Sequence, residues 1–137
     1  MLDVSEEALK FCRERGLTKV KLGAAERLPY ADKSFDLVTA LDVVEHLDDD
    51  VAGLKEMRRV LRPGGRSLLF VPAFMFLWGV QDDVSHHRRR YTIAQLKKSV
   101  ATAGLEVGAR HLCQSHVFRA DPGRTPFDAS DGPASRI

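Results

Sequence analysis

Residues 35–70 run as an apolar segment, an amphipathic segment and a second apolar segment, and few folds accept that order. The first, FDLVTAL over 35–41, is apolar almost throughout, as a parallel strand covered on both faces should be. Over residues 48–61, Val51, Leu54 and Leu61 join Leu47 near helical spacing, and Asp48 is the candidate N-cap. Arg62-Pro63-Gly64-Gly65 stops that helix, with the glycine pair read as C-cap and turn, and RSLLFV over 66–71 predicts the next strand. A strand, a crossover helix and a second strand predict an α/β fold, a doubly wound and mainly parallel sheet with helices on both faces.

The flanking segments repeat the alternation. Leu2 is followed by Asp3, and Ser5 then caps a helix that carries Glu6 and Glu7 at its positive end and stops at Gly16. A short strand is expected over 19–22, then an irregular stretch over 23–34. Residues 72–90 read as a long loop, too long for a simple connection, which makes it a candidate functional segment. Thr92 and Gln95 match a capping box, Ile93, Leu96 and Val100 form a buried helix face, and Gly104 ends the helix. A last strand is expected over 105–112. Residues 113–137 lose apolar periodicity, so a domain over 1–112 followed by a disordered or non-native tail over 113–137 is expected.

Composition excludes several classes. Twenty-one basic and 19 acidic residues nearly balance, which argues against nucleic acid as a partner. The apolar stretch over 67–79 is broken by Pro72 and falls short of the roughly 20 residues of a membrane span. Acidic residues at the start do not suit a secretory signal. Cys12 and Cys113 form no metal-ligand spacing and no disulfide framework, so a cytoplasmic location is expected.

In a doubly wound sheet the ligand lies outside the carboxyl ends of the strands, which selects Asp3, residues 23–26 and residues 41–46. Asp3 is either an acceptor for the two hydroxyls of a ribose or an extra helix-capping carboxylate. Asp42, Glu45 and His46 cluster past a strand end; His46 suits acid–base chemistry, or the pair merely opens a helix. The run Asp82-Asp83, His86-His87, Arg88-Arg89-Arg90, Tyr91 is the densest polar segment. Adjacent loop histidines seldom point at one ion and no second cluster completes a shell, so no metal site is expected. The arginines suit an acidic substrate or phosphate, internal pairing with Asp82 and Asp83, or a solvated loop. Phe74, Phe76, Leu77 and Trp78 either line an acceptor pocket or cover the core. No G-x-G occurs in the chain.

LDVS over 2–5, GAAERLPY over 23–30, SFDLVTALDVVEHL over 34–47 and VLRPGG over 60–65 together resemble the class I S-adenosylmethionine-dependent methyltransferases. The branch they resemble most includes the ubiquinone- and menaquinone-biosynthesis enzymes. VPAFMFLWGVQDDVSHHRRRYT over 71–92 resembles a subgroup with a histidine-arginine-tyrosine loop. The resemblance spans roughly residues 1–110 and implies an incomplete Rossmann-like fold, S-adenosylmethionine as cofactor and a small-molecule acceptor. It places Asp3 on the ribose, Val4 on adenine, Ala24 and Ala25 at the adenine edge, and Leu41 against the methionine part. Ala24 stands where the family usually has Asp. His46, His86 and Tyr91 are the implied bases or acceptor-orienting groups. The family's first strand and glycine-rich turn would precede Leu2, so an N-terminally truncated fragment is expected, either active or a non-catalytic binding module.

Overall fold

The computed structural model describes residues 1–108. Two parallel strand pairs, each joined through a helix, organise them. Strand β1 (Leu2–Asp3) leads through α1 (Glu6–Glu14) to β2 (Lys21–Leu22), and β3 (Phe35–Leu41) leads through α2 (Asp50–Val60) to β4 (Leu61–Phe70). Then come two short helical pieces, a 3₁₀ turn at Met75–Leu77 and α3 (Val80–Val84), and finally α4 (Ile93–Thr102). Residues 105–108 form no strand; the rest of the strand expected over 105–112, and the tail expected over 113–137, lie outside the described residues.

Local chemistry sets the helix starts. Ser5 Oγ accepts from the Ala8 amide at 3.2 Å, and Leu9 is the fully buried residue of α1. Thr92 and Gln95 form the reciprocal capping box of α4, as the sequence predicts. Helix α2 begins later than expected: Asp49, not Asp48, caps it by accepting from Ala52 N at 2.9 Å. Asp48 pairs instead with Arg88 at 3.2 Å.

The glycine pair also differs from its expected role. Leu61 is the C-cap of α2 and already pairs with Phe35, whereas Leu37 pairs with Arg66, so residues 62–65 bulge out within β4. Gly64 takes φ +79°, and a Cβ on Gly65 would lie 2.9 Å from the Arg62 carbonyl oxygen. Only glycines fit that bulge.

The core lies between β3, α2 and α4, where Ala40, Leu54, Met57, Val100 and Ala103 are buried with Tyr91. Arg59 fastens the irregular 23–34 segment onto α2, donating to the carbonyls of Leu28 and Tyr30 at 2.9 Å each, while Glu56 accepts from Leu28 N at 2.8 Å. Tyr91 donates to Asp50 Oδ2 at 2.9 Å, and Ser99 Oγ donates to the same oxygen at 3.0 Å. Burial, reinforced by the Asp50 carboxylate, pushes the Tyr91 phenol above its ordinary range. Tyr91→Phe removes a donor from a buried carboxylate and should cost about 1–3 kcal/mol, read as a lowered denaturation midpoint with unchanged far-UV circular dichroism. An unchanged midpoint would mean that Asp50 does not depend on this bond.

Candidate functional site

Strand β3 ends abruptly. The Asp42 amide still donates to Phe70 O at 3.1 Å, but its backbone turns to φ +51°, a conformation that costs a non-glycine residue about 1–3 kcal/mol. A 3₁₀ turn at Val44–His46 follows and points Glu45 inward. Glu45 is 0% exposed, and neither carboxylate oxygen has a hydrogen-bond partner among the described residues. Burial is the main reason its carboxyl is pushed up to about 7, and the charge of Asp42 adds to the rise.

The polar segment after β4 folds back over this turn. Arg88 N donates to Glu45 O at 2.8 Å, and the His87 ring meets the His46 ring edge-to-face, with centroids 4.7 Å apart. Burial, then repulsion from His87, holds the His46 imidazole below its ordinary value. His87 Nδ1 lies 2.8 Å from Asp82 Oδ1. Asp82 is 1% exposed and accepts three further bonds, from Arg90 Nε at 2.7 Å, Arg90 Nη2 at 2.9 Å and Gly79 N at 2.8 Å. The Arg90 guanidinium chiefly, and the Gly79 amide with it, hold the Asp82 carboxyl far below the usual range. An ionised Asp82 can only accept, so in the neutral His87 ring Nδ1 carries the proton and Nε2 keeps its lone pair.

The arginines are engaged internally. Arg90 pairs with Asp82, Arg88 with Asp48, and Arg89 donates to the carbonyls of Leu47 and Asp48 at 2.8 and 3.0 Å and lies 3.5 Å from Asp50. Phe74 stacks on Phe76, which is 81% exposed, so this stretch does not cover the core.

The remaining sequence-selected residues fall on strand ends and loops. Asp3 closes β1; its Oδ1 accepts from Ser5 N at 2.8 Å, and its second oxygen has no hydrogen bond among the described residues. Val4 beside it is 74% exposed. Ala24 and Ala25 lie in the turn after β2, where Arg27 N donates to Ala24 O at 3.2 Å. Leu41, at the end of β3, is 54% exposed. His46 joins the cluster, while His86, with φ +56°, yields its expected place there to His87. Tyr91 sits in the core on Asp50. Glu45 belongs to the strand-end cluster that the sequence selects with His46; His87 and Asp82 stand in the sequence only as members of the polar run, and the histidine pair at 86–87 was the signal for them.

Parallel strand–helix units with polar residues at the strand ends define an open α/β protein with its ligand site at those ends. The methyltransferase domain family matches residues 1–69, half of the chain, and the chain belongs to that family. Over 64 residues it is 52% identical to a demethylmenaquinone methyltransferase of Mycobacterium sp. strain KMS, covering 47% of this chain and 27% of that protein. A ubiquinone/menaquinone biosynthesis C-methyltransferase of Cupriavidus metallidurans is 39% identical over 83 residues, 57% of this chain and 33% of the relative. The matched stretch thus spans about a quarter to a third of these relatives. A solved S-adenosylmethionine-dependent methyltransferase from Thermotoga maritima superposes with a TM-score of 0.64 at 28% identity, over 77% of this chain and 54% of its own. The fold is the Rossmann-like α/β fold of these enzymes. No helix among the described residues is long and apolar enough to cross a membrane.

A carboxyl that ordinarily titrates near 4.5 and is raised to about 7 in the fold favours the native state below pH 4.5 and loses that contribution as the pH rises through 7. Glu45→Gln should therefore stabilise the chain at pH 8 by about 1–3 kcal/mol and do little at pH 4, measured by urea denaturation. Equal effects at both pH values would contradict the burial of this charge.

Proposed function

We propose that the chain is a class I methyltransferase that binds S-adenosylmethionine at the ends of β1 and β3 and methylates a small-molecule acceptor beside His46. The observation that carries this reading is Asp3: a carboxylate at a parallel strand end, with one oxygen anchored by Ser5 N and the other uncommitted. Such a group is built to take ribose hydroxyls. Val4 offers an exposed apolar face for the adenine ring, and the turn at Ala24 and Ala25 offers backbone but no side-chain acceptor to the exocyclic amine. Leu41 presents the β3 terminus to the methionine part. When bound, the cofactor supplies an activated methyl group on a sulfonium.

The chain's own task is to place and desolvate the acceptor. His46 is poised for proton transfer, because burial keeps its imidazole neutral near physiological pH. His86 borders the same loop, and Tyr91 acts by positioning, since its hydroxyl is tied to Asp50. The relatives in quinone biosynthesis make an aromatic or quinone-like acceptor the first class to screen.

Calorimetric titration with S-adenosylhomocysteine tests the reading. Saturable binding of one equivalent is expected, weakened in Asp3→Ala by about tenfold to a hundredfold for each charge-assisted bond lost, such a bond being worth about 1.5–3 kcal/mol. A folded chain that binds nothing would favour a non-catalytic binding module, and unaltered binding by Asp3→Ala would remove the ribose assignment.

A further inference from the structure

Glu45 supplies the sole buried side-chain polar atoms without a partner among the described residues. An isolated carboxylate in that position is expensive unless it is neutralised by a proton or a cation. Beside the Asp42 carboxylate, two imidazoles face it: one ligand atom each from Glu45, His46 and His87 lie within 4.8 Å of one another. We propose that Glu45, His46 and His87 bind one divalent transition-metal ion of the zinc type, leaving a coordination position open to an exogenous ligand. The inference stands on these side chains and not on the methyl-transfer reading.

Donor chemistry, spacing and orientation support it. Two nitrogens and a carboxylate oxygen suit zinc, iron(II) or manganese(II) better than calcium or magnesium, which prefer all-oxygen shells. Ligands about 2.1 Å from a tetrahedral zinc ion lie about 3.4 Å apart, so side chains now within 4.8 Å of one another would draw together by up to about 1.4 Å, a change within reach of rotamer adjustment. His87 is oriented as a metal-binding histidine usually is. Its Nδ1 is held by a buried carboxylate, which leaves Nε2 as the donor atom. Asp82 is itself neutralised by Arg90 and so does not compete for the cation. The charge of Asp42 adds to the negative potential at Glu45 and favours a cation there. Three protein ligands leave a fourth position free, where a hydroxyl oxygen of an exogenous ligand would be acidified.

The test uses the full chain without a histidine tag, stripped with a chelator and titrated with zinc by calorimetry and with cobalt(II) by visible absorption. One equivalent should bind, with cobalt bands of a four- or five-coordinate nitrogen–oxygen site. Affinity should fall at least tenfold in Glu45→Gln and in His87→Ala, each checked for folding by circular dichroism. His46→Ala, at the more open side of the cluster, serves if either variant does not fold. His86→Ala and the double variant Cys113→Ser/His116→Ala should bind as the parent does. Absence of binding by the folded chain would overturn the proposal, as would affinity that tracks His86 or Cys113 and His116. S-adenosylhomocysteine binding, read separately, neither rescues nor sinks it.

Discussion

The buried carboxylate of Asp82 fixes the geometry of everything after β4. Its two oxygens take two bonds from Arg90, one from Gly79 and one from His87, so residues 79, 82, 87 and 90 are held around one anion. Arg90 then reaches back to the Ala73 carbonyl at 3.1 Å, which closes the segment on itself. Such a pair is worth little as net stability, because desolvation of both ions offsets their attraction. Its effect is specificity: removing either ion strands the other in the core, so alternative paths for the segment are disfavoured. A stretch that looks in sequence like a solvated charged loop is thereby a rigid frame, and the frame delivers His87 to Glu45.

A second carboxylate does the same for the helices. Asp50 is the first residue of α2, accepts from Tyr91 and from Ser99 on α4, and lies near Arg89. One side chain thus links the start of one helix, the end of the polar segment and the face of another. The isolated bridge between Ala73 and Tyr91 runs alongside it and continues the parallel arrangement beyond β4. Arg90 compensates Asp82, Arg89 lies on Asp50, and Arg88 pairs with Asp48 at the surface, so each of the three consecutive arginines has an acidic partner.

Much of this architecture could be read beforehand where the cause is local. Ser5 and Thr92 cap helices because a hydroxyl reaches amides three residues on, and Phe35–Leu41 is a strand because its apolar run has no other use. Misreadings arose where a tertiary partner decides. Asp48 and Asp49 are equal as caps in sequence; Arg88 recruits the first and leaves the second for Ala52. Gly64 and Gly65 look like a helix stop, but the pairing of Leu61 with Phe35 draws them into a strand bulge. His86 and His87 are indistinguishable by type, and it is the Asp82 carboxylate, folded back on the same segment by Arg90 and Gly79, that selects His87. Asp3, by contrast, was placed correctly at a strand end from spacing alone, though its free oxygen could not be foreseen.

Strain points to the same place as the unpartnered carboxylate. Among the described residues, and apart from Lys33, the non-glycine residues with positive φ are Asp42 at +51°, Phe74 at +60° and His86 at +56°. Asp42 precedes the turn that buries Glu45, His86 precedes the ring that faces it, and Phe74 opens the segment that folds over both. Each such conformation costs about 1–3 kcal/mol and survives only where the surroundings over-determine it. At the caps of α1 and α4 and in the core, local preference and global fold agree. Disagreement gathered around one side chain is the pattern expected where a fold gives up stability for chemistry. A packed hydrophobe at position 45 would satisfy the same backbone at lower cost. Packing alone therefore does not account for the acid at position 45, whose two oxygens find no partner among the described residues.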